Sequence, residues 1–432
     1  MISGIHLPSE LKKAFEDLGF LEMTEIQRKT IPLIQQGRDV IAQSQTGSGK
    51  TAAFGFPILE RITHNQGLQA MVLVPTRELC EQVTTEIKKF SKYKRMEIAA
   101  IYGGVSLNPQ FGALRHANIV VGTPGRILDH MQRRTIDMSK IRMLVLDEAD
   151  KMFEMGFIDD VKNIISHTPS ERQTMIFSAT ISTQVHDIVR RYMRNPERVN
   201  AKAYVEESRM AQFFYSVSSR DKFSLLVHLL KSEPDGITII FCATRNRVGV
   251  LSKNLSAQEI RSLALHGGMS QYKRNQSIED FRQGGASVLV ASDVAARGID
   301  VKEVSHVINY DCPKTSKEYI HRIGRTARAG KAGKVISLIS EADHDNFRSV
   351  LDDRSLSIEQ LQLPQFISVP FIASMSRGPG QRRFGQGFGH KSYKPGAQRR
   401  GYGSQRSHPS GERAHQGDRR PHAGDRRRHA RN

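Results

Sequence analysis

The chain has 432 residues, a formal net charge of +20 and three cysteines. That length predicts two or three domains with separate cores, and the charge predicts a polyanionic partner, nucleic acid foremost. The wide spacing of Cys80, Cys242 and Cys312 excludes a disulfide framework and a CxxC zinc site, and no apolar run reaches a membrane span, so a soluble, cytoplasmic protein with reduced thiols is expected.

In chain order, Leu11, Phe15 and Leu18 at helical spacing behind Ser9 predict a short helix over 8–18. Gly19-Phe20 and Thr24-Glu25-Ile26-Gln27 follow it. Val40-Ile41-Ala42 predicts a strand that feeds Ser44-Gln45-Thr46-Gly47-Ser48-Gly49-Lys50-Thr51 and then a helix over 52–62. A glycine-rich loop between strand and helix offers amides and Lys50 to phosphates, with the Thr51 hydroxyl available to Mg²⁺. Further strands are expected at 70–74, 98–102, 119–121, 143–146 and 175–177, alternating with helices as in a parallel sheet. The run at 143–146 is apolar without alternation, as suits a strand buried on both faces. It delivers Asp147, Glu148 and Asp150 to the carboxyl end of the sheet, where such folds bind ligands. Asp147 is the acidic counterpart of Thr51 for one Mg²⁺. The loop and the acidic strand end together predict nucleoside triphosphate hydrolysis.

The pattern fades after Asn195-Pro196, placing a linker at 201–211 behind a first domain over 1–200. A second α/β pattern over 212–370 has strand candidates at 238–241, 262–265, 287–290, 306–309 and 335–339. It has no second phosphate loop and cannot hold a triphosphate alone. From Arg377 onward there is no Val, Ile, Leu or Met, and 15 Lys+Arg face 3 Asp+Glu, a net of +12 that leaves +8 for the rest. A disordered Arg/Gly-rich basic tail is therefore expected over 371–432. Its Phe384, Phe388, Tyr393 and Tyr402 among cations suit nonspecific RNA binding.

Gly19-Phe20 and Thr24-x-Ile26-Gln27 before a GSGKT loop, then Asp147-Glu148-Ala149-Asp150, resemble the Q motif and the signature of the DEAD-box RNA helicases. The resemblance runs from about 18 to 363. It takes in Pro75-Thr76-Arg77-Glu78-Leu79, Gly103-Gly104, Thr123-Pro124-Gly125-Arg126, Ser178-Ala179-Thr180, His266-Gly267-Gly268 and the stretches 291–300 and 321–328. The basic-tailed layout is similar to bacterial RhlE-like members. The resemblance implies an α/β fold of two tandem RecA-like parallel-sheet domains. It also implies an RNA-dependent ATPase that opens short duplexes, with ATP and Mg²⁺ as cofactors. RNA is the implied partner, within ribosomal or RNA-degradation complexes, and no membrane is involved.

Residue by residue, the resemblance assigns the nucleotide to Phe20, Gln27, Ser44, Gln45, Thr46, Gly47, Ser48, Gly49, Lys50 and Thr51, with Asp300 reaching the ribose. Gln27 reads adenine, and Glu148 orients and deprotonates the attacking water beside Asp147 and Lys50. Ser178 and Thr180 link hydrolysis to RNA through Asp150, and Arg325 and Arg328 are arginine fingers. The RNA backbone falls to Thr76, Arg77, Gly104, Thr123, Arg126, Arg245, Gly268, Gln271, Arg274 and Ser292. The chain departs from the family pattern at Ile2, Met23, Ser44, Ser292 and Ala327. An RNA clamp with little turnover and a DNA-directed helicase are the two alternative readings.

Overall fold

Short aliphatic runs that lack polar alternation form the inner strands of two sheets. The computed structural model describes residues 6–20, 22–44, 47–201, 210–233, 235–296, 304–326 and 332–373. Gln45, Thr46, Asp300, Arg328, most of the expected linker and the basic tail beyond 373 lie outside the described residues. The first sheet comprises β1 (Val40–Gln43), β2 (Ala70–Leu73), β3 (Ile98–Ile101), β4 (Ile119–Gly122), β5 (Met143–Leu146), β6 (Gln173–Ser178) and β7 (Glu197–Asn200). The second comprises β8 (Met210–Ser216), β9 (Ile237–Cys242), β10 (Ser262–Leu265), β11 (Val288–Ser292), β12 (Val304–Asn309), β13 (Gly333–Ile339) and β14 (Glu359–Leu361).

Every pairing is parallel. The first sheet runs β3-β4-β2-β5-β6-β1-β7 and the second runs β10-β11-β9-β12-β13-β8-β14, which is the same order repeated. This is the expected pair of tandem RecA-like lobes.

Helices cover both faces of each sheet, so successive residues of one strand serve different cores. Met143 and Val145 join the cluster that holds Phe54 and Phe177, whereas Leu144 and Leu146 join the one that holds Phe153 and Ile188. In the second lobe Ile239 and Phe241 point one way, and Ile240 and Cys242 the other. With strand faces consumed by packing, only the carboxyl ends remain to carry chemistry.

Two boundaries differ from expectation. β8 begins at Met210, so the last two residues of the expected linker belong to a strand paired with β13. The second lobe also continues past 370. Its chain crosses the helices Lys222–Ser232 and Arg245–Ala257 as an extended strap. The Val369 N–H donates to Ser224 Oγ at 3.0 Å, and Asn254 takes the Ile372 N–H at 2.8 Å while donating to its carbonyl at 3.2 Å. Phe371 packs against Phe223 as a tilted ring pair, centroids 5.0 Å apart. Asn254 is buried, and the strap satisfies its amide. The expected tail start at 371 is therefore too early by at least two residues. Among the described residues no helix is long and apolar enough to cross a membrane.

Candidate active site

β1 ends against β6, the Ser44 N–H donating to the Ser178 carbonyl at 2.9 Å, and the chain then turns through the glycine-rich loop. Gly47 (φ 84°) and Gly49 (φ 88°) are left-handed, which glycine alone adopts cheaply. Gly49 has a second constraint, because a Cβ there would lie 2.5 Å from Gln27 Nε2. Gln27 is buried. Its Oε1 accepts the Thr24 N–H at 3.0 Å, and its Nε2 donates to the Gly49 carbonyl at 3.1 Å. The side chain predicted to read adenine is thus wired to the phosphate loop. Ser48 Oγ meets Ser44 Oγ at 3.2 Å, and Lys50 Nζ reaches the Ser44 carbonyl at 3.4 Å, so the loop closes on its own cation. Lys50 and Thr51 open the helix Lys50–Arg61. Phe20 packs among Phe15, Phe56 and Phe90, anchoring the segment before Thr24 in the core.

At the end of β5 the Asp147 N–H donates to the Leu73 carbonyl, and Asp147 Oδ1 accepts the Glu148 N–H at 2.9 Å. Glu148 is left-handed (φ 49°, ψ 47°), a costly conformation for a side chain with a Cβ. Asp150 accepts Thr180 N–H at 2.9 Å and Thr180 Oγ at 3.0 Å, and Ser178 Oγ accepts the Asp150 N–H at 3.2 Å. The predicted link between the Ser-Ala-Thr turn and the acidic loop is present.

Two adjacent buried carboxylates are shifted in opposite directions. Burial pushes Asp147 up to about 6, only partly countered by Lys50. Burial acts the same way on Glu148, but Lys151, Lys50 and Arg325 outweigh it and hold the carboxyl at about 2. Lys151 Nζ lies 3.0 Å from Glu148 Oε1, with both side chains almost fully buried. Lys151 escaped sequence reasoning because a lysine after an acidic turn looks like a solvated one. Among the described residues there is no cluster of three or more His, Cys, Asp or Glu that could hold a metal alone. One undercompensated carboxylate and one hydroxyl are instead the hard oxygen donors that suit Mg²⁺ shared with phosphates.

Arg325, buried in the second lobe, is therefore placed where its charge acts on Glu148 of the first. Among the described residues, four further contacts join the lobes. Arg274 Nη2 lies 2.7 Å from Glu78 Oε1 with both side chains nearly buried, and Gln271 Nε2 donates to the same oxygen at 3.4 Å. Asn275 donates to Glu81 Oε1 at 3.1 Å, and Lys317 pairs with Glu154. Gln271 and Arg274, expected to contact RNA, thus have a first-lobe carboxylate as partner in this arrangement. Facing a buried carboxylate on the helix Arg77–Phe90, they hold the lobes together. Glu78→Gln should destabilise the closed arrangement by roughly 2 kcal/mol, a thirtyfold loss in RNA-stimulated efficiency. An unchanged RNA concentration for half-activation would refute that role.

The other predicted RNA contacts ring the same end of the sheets. Arg77 lies across Gly104 (φ 83°), where any Cβ would displace its guanidinium. Thr76 Oγ caps the helix behind it by accepting the Leu79 N–H at 3.3 Å. Thr123 precedes the helix Pro124–Gln132, and Arg126 Nη2 donates to the Val105 carbonyl at 3.1 Å, bracing the Gly103-Gly104 turn. Arg245 is exposed at the start of its helix, the Gly268 N–H donates to His266 Nδ1 at 3.2 Å, and Ser292 ends β11.

Arg322 is the residue whose role sequence reasoning missed most completely. It is fully buried, and its guanidinium meets Asp293 through Nε (2.6 Å) and Nη2 (2.8 Å), Glu318 (3.2 Å), Asn309 (3.1 Å) and the Asp311 carbonyl (2.6 Å). All five N–H donors are used.

The model of the DEAD/DEAH box helicase family matches residues 24–188, and that of the helicase conserved C-terminal domain matches 221–330. The DEAD-box ATP-dependent RNA helicase CshA of Bacillus subtilis is 43% identical over 362 residues, 83% of this chain and 73% of that protein. Among solved structures, a DEAD box protein from Methanococcus jannaschii is 39% identical, covers 83% of this chain and 98% of its own, and gives a TM-score of 0.52. S. cerevisiae Dbp5 bound to RNA and ADP BeF3 is 32% identical over 82% of this chain and 94% of its own, with a TM-score of 0.75.

Proposed function

The chain belongs to the DEAD/DEAH box helicases, ATP-hydrolysing enzymes that act on RNA, and we propose that its two lobes make one hydrolysis site only when closed around RNA. The observation that carries this reading is the set of contacts that join the lobes, Arg274 and Gln271 to Glu78 and Asn275 to Glu81, with the charge of Arg325 acting on Glu148 beside them. Support also comes from shape. The likeness is greater to the RNA-bound Dbp5 chain than to the more identical archaeal one.

In this reading the loop amides and Lys50 take the phosphates, and Gln27 carries the state of the adenine pocket to Gly49. Thr51 and Asp147 hold Mg²⁺, which when bound neutralises phosphate charge. Glu148, anionic at about 2, accepts a hydrogen bond from the attacking water and orients it, taking the proton only as the phosphoryl group departs. Arg325 stabilises the charge that develops. Thr76, Arg77, Gly104, Thr123, Arg126, Arg245, Gly268 and Ser292 line the backbone path, so sequence preference is weak. RNA bound across both lobes favours closure, and ATP favours RNA by the same factor. The basic tail adds a nonspecific tether to structured RNA. We place the chain in a reducing, cytoplasmic setting, in keeping with three free, buried cysteines, and propose ribosomal or RNA-degradation complexes as its partners.

Steady-state ATP hydrolysis with RNA, with single-stranded DNA and with neither tests the proposal. Stimulation by RNA and little by DNA is expected. Equal stimulation by DNA would move the substrate, and no hydrolysis under any condition would leave an RNA clamp.

A further inference from the structure

We propose that Tyr272 is a stacking platform for an unpaired RNA base, a contact separate from the backbone path. The proposal rests on RNA binding as described above.

Tyr272 lies in the first turn of the helix Gln271–Arg282, which buries Gln271, Arg274, Ile278 and Phe281. Each residue advances the helix by about 100°, so Tyr272 lies about 100° beyond Gln271 and points away from that buried face. It is 77% exposed, the most exposed aromatic ring among the described residues. A single exposed ring is ordinary on a protein surface. The setting distinguishes this one.

The neighbouring residues fix the helix in place. Arg274 and Gln271 are held by Glu78, and Asn275 by Glu81, all from the first lobe. Tyr272 therefore stands beside the cleft on a turn clamped from both lobes. Its surroundings are cationic. Lys273 is exposed next to it, and Arg245 is exposed at the head of the adjoining helix. Arg245 Cδ comes within 3.5 Å of where a Cβ on Gly268 would sit, and the Gly268 N–H is bonded to His266. Tyr272 follows Gly268 by four residues, in the first turn of the helix that leaves this loop.

The chemistry that fits this place is a nucleobase. Cations along a groove hold phosphates and leave bases turned outward, and an adjacent exposed ring offers them a π face. Every base has such a face, so the contact adds affinity without sequence preference. In this arrangement the first lobe holds the turn that carries the ring.

The chain contains no tryptophan. Tyr272→Trp in the full-length protein therefore places one unique indole fluorophore at the proposed contact. The probes are a short single-stranded RNA and a strand of equal length with abasic sites, each titrated with a non-hydrolysable ATP analogue. The intact strand should quench the indole fluorescence of this variant and the abasic strand should not. Tyr272→Ala should raise the RNA concentration for half-maximal ATPase stimulation about tenfold, and Tyr272→Phe should restore it. Equal quenching by both strands, or half-activation unchanged in the alanine variant, overturns the proposal. Indole emission that stays constant in a variant still stimulated by RNA removes the stacking contact alone. Loss of RNA stimulation in the parent chain would instead remove the RNA reading.

Discussion

Glu148→Gln is expected to lower the turnover of ATP by about 10²–10⁴-fold, because the amide loses the charge that orients and finally accepts a proton from water. The variant should still bind nucleotide, since Lys50 and the loop are untouched. It should also melt earlier. Lys151 Nζ lies 3.0 Å from Glu148 Oε1, and both are almost fully buried, so the substitution strands a cation. Adding Lys151→Met removes that cation and should recover thermal stability with no recovery of turnover. This double variant separates the two roles of one carboxylate. Turnover within tenfold of the parent chain would place the base elsewhere.

The second large effect is structural. Arg322→Met should destabilise the second lobe by roughly 3–5 kcal/mol, as expected when one member of a buried ionic network is removed. Two carboxylates, Asp293 and Glu318, then face each other without their cation. Asp293 is already shifted upward by burial, an effect that Arg322 now counters. Without Arg322 its folded pKa rises further, the native state binds more protons than the unfolded one, and stability falls as pH rises. Thermal melts of the variant should therefore recover on moving from pH 8 toward pH 5. Arg322→Lys keeps a charge but loses two donors and the planar fork, and should fall between the two. A melting profile indifferent to Arg322→Met would dismiss the network as a stabilising element.

Much of this was legible in sequence because parallel strands buried on both faces must be apolar runs, and because phosphate and metal chemistry is local. The loop 44–51 and the acids at 147–150 each announce themselves within eight residues. What stayed hidden was non-local or weakly patterned. β7, Glu-Arg-Val-Asn, has one buried residue in four and lies at a sheet edge, so no apolar run marks it. The strap over 362–373 has no periodicity, and its prolines read only as an exit. Glu78 and Arg274 are 196 positions apart, and no rule of spacing pairs them. Sequence alone therefore assigned Gln271 and Arg274 to RNA and gave no sign of their contact with Glu78. Arg322 sat inside a recognised motif, yet its acceptors come from 293, 309, 311 and 318 and converge only in the folded lobe.

Because the strand order repeats, positions in one lobe have counterparts in the other. β8 occupies the place of β1, and the helix after each begins with a buried lysine, Lys50 in one and Lys222 in the other. Their fates differ. Lys222 Nζ is 2.7 Å from Asp343, a carboxylate that Ser340 also holds through its N–H at 3.0 Å and its hydroxyl at 2.6 Å. The second copy of the architecture thus supplies its own anion where the first waits for one from outside. Its lysine serves as an internal tie between the two ends of the lobe and has no charge to spare. The expected stoichiometry is one nucleotide per chain, even though the wiring of the fold is doubled.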